Sequence, residues 1–541
     1  MIVEVCVGMS IVKLKNKKNG MTYVYESEGY WDKEKQQARN KRKCIGKVDP
    51  ETGKIVYNKR YLEEQQRSAQ AKRGPQPSTS YTRHFCGATA LFDRIGEQLG
   101  VVDHLKRCFP ESYKQILSIA YFLILEEKNA MSRFERWSRT HKHPYGKKLP
   151  SQRSSELFLS IREDAKQRFF ALRSQLVSET EYLAYDTTSI SSYSESLQQV
   201  KYGRNKENDP LAQINLALLF GEKTRQPVCY RKMAGNIPDV KTVRKLLRDL
   251  AVLNIRKVKL VMDRGFYSAA NVNELYRVHF KFLMAVPISL RFVRDHLDPL
   301  GEEWIARKNY SSRHGLYVKT VRADWAYTQT KPRSGEQVEG ARRIYLHLYY
   351  NEQRAADEKV RFNKLLDVLE EELLSDQRNP KHERLYAKYF ELSQTPVRGK
   401  KIVAQQEGIQ QKLRYCGTFA LISNGIRDPL EAIDIYRSKD VIEKAYGDLK
   451  SRLCLRRTSV SSEEGLEGKL FVQFVALIFV SFLKKQMDEK GLFQEYTLQE
   501  VLDELDVIEC FQQPGSRVFL GEVTSKQQKL FAAFGFDSIL S

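Results

Sequence analysis

Tyr182-Leu183-Ala184-Tyr185-Asp186-Thr187-Thr188 reads as a short apolar strand that runs into an acid and then a polar loop. Ile214 to Phe220 and Pro227 to Tyr230 are two more strand-like runs. The spacing then changes: Val240, Val243, Leu246, Leu247 and Leu250 recur at three and four, which predicts a helix to Leu253. Val258 to Met262 is a fourth strand and also ends on an acid, Asp263. Asn271 to Arg277 resumes a helix, and Phe282 to Val286 is a fifth strand.

Three strands in succession, a helix and a further strand is the chain order of an RNase H-like sheet, so the fold class expected is α/β. This core covers residues 181–290 and resumes over 416–490 with Thr418 to Ser423 and one long helix, Leu430 to Leu453. Residues 291–415 interrupt it as an insertion subdomain. There Ile344, Leu346, Leu348 and Tyr350 alternate with Tyr345, His347 and Tyr349, the pattern of a half-buried strand. Phe362, Leu365, Leu366, Leu369 and Leu373 follow as a helical stripe.

Upstream, residues 1–75 predict a small basic β unit. Tyr23, Tyr25, Tyr30 and Trp31 lie close to Lys33, Lys35, Arg39, Lys41, Arg42 and Lys43. Rings beside cations suit a nucleic-acid surface, and they equally suit a solvated hairpin with core aromatics. Gln65 to Ser80 reads as a linker, residues 81–180 as a helical domain and a candidate for DNA-end binding, and residues 491–541 as a C-terminal helical region.

Composition limits the function. The chain has 541 residues, 41% of them hydrophobic and 29% charged, which excludes a disordered tail or a coiled-coil rod. Lys and Arg number 90 against 67 Asp and Glu, a net charge of +23, which points to a polyanion, most simply nucleic acid. Cys6, Cys44, Cys86, Cys108, Cys229, Cys416, Cys454 and Cys510 stand singly and predict reduced thiols, not a zinc ribbon. Met1 to Val12 reads as a strand. Leu470 to Leu483, the longest apolar run, is too short to span a bilayer and reads as a buried helix, so no membrane partner is expected. His141 and His143 can ligate metal but read better as a surface loop, and His347 as a structural residue. No Gly-rich phosphate loop is present.

Asp186 and Asp263 each follow an apolar run, and adjacent strands would bring them close. Glu443 lies on the late helix. Three carboxylates from separate elements make an oxygen-rich site for a hard divalent cation, although an Asp at a strand end more often caps a turn. On the helix, Tyr436, Lys439, Glu443 and Lys450 are spaced three, four and seven and share one face. Taken alone, that face reads better as an ordinary charged surface with a Lys439–Glu443 pair.

Tyr436, Glu443 and Lys450 match Tyr-x2-Arg-x3-Glu-x6-Lys, with Lys439 where the motif has Arg, and this segment resembles the signature of DDE transposases of bacterial insertion sequences, in the insertion-sequence-four type branch. Tyr185-Asp-Thr-Thr188 and Met262-Asp-Arg-Gly-Phe-Tyr267 resemble that family's first and second acidic motifs. The likeness covers about residues 180–490. It implies a DNA transposase that cleaves element ends and joins the 3′-hydroxyl to target DNA, with Asp186, Asp263 and Glu443 as catalytic and metal-binding acids. The implied cofactor is Mg²⁺, as two ions, with Mn²⁺ as a substitute. Tyr436, Lys439 and Lys450 become DNA contacts, with Arg264, Arg437, Arg39, Lys41, Arg42 and Lys43 as weaker ones. The insertion is implied to be β-rich and to handle flanking DNA, where Trp304 and Trp325 would stack on a displaced base or else be buried. The implied partner is double-stranded DNA, held by a homodimer or higher oligomer in the bacterial cytoplasm, on the nucleoid when bound. A metal-dependent nuclease of the same fold and a degenerate DNA-binding copy are the rival readings.

Overall fold

A computed structural model describes residues 9–32, 35, 37–70, 81–127, 130–206, 209–253, 255, 258–330, 335–395, 399–458, 460, 462–513 and 517–536. Cys6, Lys33 and the 71–80 part of the expected linker lie outside these residues. The chain divides into two units, Met1–Thr82 with Gln513–Arg517, and Arg83–Gln512 with Val518–Ser541.

The first unit is an antiparallel sheet in the order β1 (Met9–Lys15), β2 (Thr22–Asp32), β3 (Gln37–Val48), β4 (Ile55–Tyr57), followed by α1 (Lys59–Gln70). Part of the segment read as a linker is therefore helix; Lys59–Gln70 has neither Gly nor Pro and is rich in Glu, Gln and Arg, all good helix formers. Val24 and Ile45 form the small buried centre. Tyr30 and Trp31 are 47% and 56% exposed, so they are surface rings and not core.

The second unit opens with β5 (Thr82–Phe85) and six helices: α2 (Gly87–Gln98), α3 (Val101–Cys108), α4 (Tyr113–Leu125), α5 (Phe134–Thr140), α6 (Ser151–Ser160) and α7 (Glu163–Ser174). Next come β6 (Tyr182–Ser192), β7 (Gln213–Gly221), β8 (Pro227–Ala234), α8 (Asp239–Val252), β9 (Lys259–Met262), α9 (Ala269–Arg277) and β10 (Lys281–Val286). The 291–415 segment contributes α10 (Arg291–Leu297), β11 (Tyr310–Ser311), β12 (Leu316–Thr330), β13 (Gln337–Tyr350), α11 (Glu352–Leu374), α12 (Glu383–Tyr389), β14 (Phe390–Thr395), β15 (Gly399–Ala404) and α13 (Gln406–Arg414). The chain closes with β16 (Thr418–Ser423), α14 (Pro429–Ser438), α15 (Asp440–Lys450), β17 (Arg457–Thr458), α16 (Glu463–Glu489), α17 (Leu498–Asp506), β18 (Glu509–Gln512), β19 (Val518–Leu520) and α18 (Ser525–Ala533).

The structure is mixed α/β around one large sheet in the order β11-β12-β13-β16-β10-β9-β6-β7-β8, with β17 on β6. At its centre β6, β9 and β10 run parallel, while β7 and β8 continue antiparallel from β6. Both faces are covered, which is why β7 is buried throughout and the Tyr182–Tyr185 part of β6 is apolar without alternation. One face packs against α16, whose Phe471 and Phe479 meet Phe169, Phe109, Phe92 and Tyr121 from the preceding helices. Those helices share the core of the sheet and do not form a core of their own. The other face is closed by α14, through Ala432 and Ile433 against Val261, Leu283 and Leu421.

Several expectations change here. The β12–β13 hairpin is not apart from the core: β13 pairs with β16 and so extends the central sheet. Residues 344–349 are accordingly all buried, not half-buried, because both faces of β13 are covered there. The rest of the insertion does hold a small core of its own, Phe362, Leu369, Leu373, Tyr386, Tyr389, Phe390 and Ile409. The C-terminal region is not purely helical, since β18 pairs with β19 and lies beside β5. The apolar run at 470–483 sits within a 27-residue helix, α16, long enough to cross a membrane, yet 89% of its apolar window is buried inside the protein.

Candidate active site

Each acid reaches the site by a different route. Asp186 does not end its strand: β6 continues to Ser192, because Thr187 to Ser191 still pair with β7 and Ser192 pairs with Thr458. It marks instead the place where β9 stops, since Tyr185 is the partner of Met262 in the parallel register. Asp263 is therefore the next residue along on the neighbouring strand, where the chain leaves the sheet for a single turn over Arg264–Phe266. The side-chain hydroxyl of Tyr446, buried on α15, donates to the Asp186 carbonyl at 2.7 Å, with the Leu216 carbonyl at 3.2 Å.

Glu443 arrives on α15. The expected long helix is two, α14 and α15, meeting at Lys439, where the Ile442 amide donates to the Lys439 carbonyl at 2.9 Å in a tighter three-residue turn. The junction places Lys439 inward: its side chain is 13% exposed, against 57% for Glu443. Its Nζ lies 3.0 Å from Glu443 Oε1 and 5.3 Å from the Tyr436 ring centre. Burial alone would lower the Lys439 pKa, but Asp263, Glu443 and Asp186 together outweigh it and hold the ammonium above its ordinary value. The Lys439–Glu443 pair that the sequence offered is thus present, with the ammonium buried and the carboxylate more than half exposed.

The two aspartates are tuned apart. Burial raises the Asp186 carboxyl above its ordinary value, against the pull of Lys206 and Lys439. Burial also acts to raise Asp263, but the Tyr436 hydrogen bond at 2.5 Å and the Lys439 charge bring it below the usual carboxylate range. The Tyr436 phenol, buried beside that carboxylate, is pushed well upward and stays a donor.

Carboxylate oxygens are the ligands that a hard divalent cation takes. Among the described residues, however, no group of three His, Cys, Asp or Glu side chains is close enough to hold a metal. Glu443 is turned to Lys439 instead.

A cleft of about 670 Å³ opens from Asp263 and Tyr436 across the ends of β10 and β16. Arg264 and Arg437 line it, as do Arg354 and Lys412 from the insertion, which sequence reading passed over because they sit on ordinary charged helices. Lys450 ends α15, about 10 Å along the axis from Glu443. Arg39, Lys41, Arg42 and Lys43 lie on the exposed part of β3 in the other unit, opposite Tyr30, Glu28, Ser27 and Glu26. Arg39 also lies 3.6 Å from Asp32, and Lys43 pairs with Glu64.

Other candidates are structural. Trp304 and Trp325 are buried, and Trp325 Nε1 donates to Asn273 Oδ1 at 2.7 Å. His141 and His143 are not in a surface loop: both are buried, His141 stacked on Trp137 with its Nε2 2.9 Å from Asp506 Oδ2, and His143 Nδ1 3.0 Å from Ser118 Oγ. The Thr140-His-Lys-His stretch gave no sign of this, since its partners lie on α5, α4 and α17. His347 is fully buried, with Nδ1 2.8 Å from Thr320 Oγ1. The seven described cysteines are free thiols. Sequence reading also missed Lys206, which lies beside Asp186, and Asp239, which pairs with the same lysine. Lys206 sits in a stretch without periodicity, and Asp239 precedes the apolar spacing that revealed α8.

No curated protein matches the sequence. Among solved structures, a piggyBac transposase synaptic complex with hairpin DNA is similar at 11% identity and a TM-score of 0.32, over 81% of this chain and 74% of that one, a score at which the likeness carries no argument. The family described as the transposase DDE domain matches residues 178–479, more than half of the chain and all three acids, and the chain belongs to that family.

Proposed function

We propose that this chain is a DNA transposase of the bacterial insertion-sequence branch with the Tyr-x2-Arg-x3-Glu-x6-Lys signature, cutting element ends and joining the freed 3′-hydroxyl to target DNA. The observation that carries the reading is the parallel register of β6 and β9, which sets Asp186 and Asp263 side by side, together with the Tyr436–Asp263 hydrogen bond, which brings the helices of Lys439 and Glu443 to that place. The strand order β8-β7-β6-β9-β10, with β6, β9 and β10 parallel, supports an RNase H-like core beneath it.

In this reading Asp186, Asp263 and Glu443 hold the divalent cofactor, Mg²⁺ or Mn²⁺. When bound, a pair of such ions supplies charge stabilisation to the attacking and leaving oxygens of an in-line phosphoryl displacement. Tyr436 orients the Asp263 carboxylate and keeps it ionised. Lys439 neutralises the acids and, as DNA enters, exchanges a carboxylate for a backbone phosphate; lacking the guanidinium fork, it grips as a point charge. Arg264, Arg437, Arg354 and Lys412 give the strand a cationic path along the cleft, and Lys450 extends it. The basic β unit takes duplex DNA through Arg39, Lys41, Arg42 and Lys43. The assembly on DNA is a homodimer or higher oligomer, working in the cytoplasm.

The test uses duplexes ending in the inverted repeats that flank the gene. With Mg²⁺, the full chain should nick the repeat end and join the labelled 3′-end to a second duplex. Nicking without joining would make it a nuclease, and binding without nicking a degenerate copy.

A further inference from the structure

A second ammonium enters the acidic site from the loop between β6 and β7. Lys206 Nζ donates to the Thr187 carbonyl at 2.5 Å and to the Thr187 hydroxyl at 3.0 Å. It lies 3.4 Å from Asp186 Oδ1 and, on its other side, 3.4 Å from Asp239 Oδ2. Asp239 is the first residue of α8, and its Oδ1 accepts a hydrogen bond from the Thr187 hydroxyl. A Cβ on Gly265 would come within 3.2 Å of Asp239 Oδ2, so this carboxylate also abuts the turn that follows Asp263. Strand, loop, helix start and turn therefore meet around one lysine.

An ordinary surface ion pair joins two exposed side chains and has little effect. Lys206 differs in being shared by two carboxylates, one of which is the acid at the centre of the site. The charge of Lys439, from the late helices, bears on Asp186 as well. A divalent ion settling on Asp186 must compete with these charges. The Lys206 side chain is 37% exposed on a loop and has a flexible stem, so it can withdraw from Asp186 without unfolding anything. Asp239 then gives it a second carboxylate to stay with.

We propose that Lys206 and Asp239 are positioning residues that set the metal affinity of the site: Lys206 takes the place of the ion on Asp186 while the site is empty of metal, and Asp239 retains the displaced ammonium when an ion binds. The proposal rests on the metal-site reading given under Proposed function.

The test is an Mn²⁺ titration of the full-length protein without DNA, followed by the paramagnetic resonance signal of free Mn²⁺, with thermal unfolding in EDTA and in saturating Mn²⁺. Lys206→Ala should bind Mn²⁺ more tightly, by about fivefold or more if the competition lies in the usual range of coupling between sites. Its rise in Tm on adding Mn²⁺ should exceed that of the wild type, because tighter binding to the folded state stabilises it further. Lys206→Arg should keep wild-type affinity. Asp239→Asn should weaken Mn²⁺ binding, since Lys206 then bears on Asp186 alone, and this effect should shrink in the Lys206→Ala background. Unchanged or weaker Mn²⁺ binding in Lys206→Ala, with the same fall in Tm with and without Mn²⁺, would overturn the proposal and leave a plain structural pair. Asp186→Asn separates the two levels. If it abolishes Mn²⁺ binding while Lys206 has no influence, only this inference fails; if the wild type binds no Mn²⁺, the metal-site reading fails with it.

Discussion

Tyr436 on α14 donates its phenolic proton to Asp263 Oδ1 at 2.5 Å, joining the late helix to the turn after β9 across 173 residues of sequence. This bond, with the Lys439 charge, holds Asp263 below the ordinary carboxylate range in spite of burial. A depressed carboxyl contributes stability that is present above its unfolded pKa and lost as pH falls through its folded value. Tyr436→Phe should therefore raise the Asp263 pKa, and the acid limb of the cleavage profile should move to higher pH. At neutral pH the variant should lose about 1.5 kcal/mol, the low end for a hydrogen bond to a charged group, since Asp263 is only partly buried. A pH–rate profile beside urea unfolding checks both; an unmoved acid limb would detach Tyr436 from Asp263 in function.

Lys439 is expected to act on DNA through charge. Lys439→Ala should weaken binding across sequences and lower the slope of log affinity against log salt by about 0.9, the loss of one phosphate contact. Lys439→Arg should restore the slope. Binding isotherms at several salt concentrations decide it, and an unchanged slope in the alanine variant would confine Lys439 to its carboxylates.

Tyr446 tests how far the backbone at Asp186 depends on α15. Tyr446→Phe removes the buried hydroxyl that donates to the Asp186 carbonyl and should cost about 1–3 kcal/mol. Equilibrium unfolding should show a lower midpoint with the same denaturant slope. A stability equal to the wild type would mean that the sheet holds Asp186 without help.

Gly468 tests the packing beneath the sheet. A Cβ there would meet the Phe158 carbonyl oxygen at 2.1 Å, where α16 crosses α6. Neither backbone can yield cheaply, so Gly468→Ala should destabilise by about 1–3 kcal/mol, as overpacking does elsewhere. Thermal unfolding reads this directly, and a Tm at or above that of the wild type would argue against so close a crossing.

What the sequence made legible follows the range of the interactions. The strands β6 to β10 and the helix α8 were readable, because apolar runs and three-four spacing are local signals. Asp186, Asp263 and Glu443 stand out in the sequence because each lies next to such a run or in a spaced motif. The alternation at 344–350 misled, because it reports side chains and not the second layer that covers β13. His141 and His143 looked exposed, since their neighbours in space lie on α4, α5 and α17, up to 365 residues away. Lys206 and Asp239 were invisible for the same reason: nothing local in Tyr202-Gly-Arg-Asn-Lys206 indicates that its lysine folds back to Asp186. The break between α14 and α15 was hidden too, because Lys439 suits a continuous helix as well as a junction.

The central claim is that Asp186, Asp263 and Glu443 form one catalytic unit, and end joining measures it most directly. The wild type and Asp186→Asn, Asp263→Asn and Glu443→Gln should be compared on a labelled inverted-repeat duplex with Mg²⁺ and a second duplex as target. Each variant should bind the repeat nearly as well as the wild type, since affinity comes mainly from Lys and Arg contacts to phosphate, and none should nick or join. Wild-type joining by any one of the three would remove that residue from the site and contradict the account.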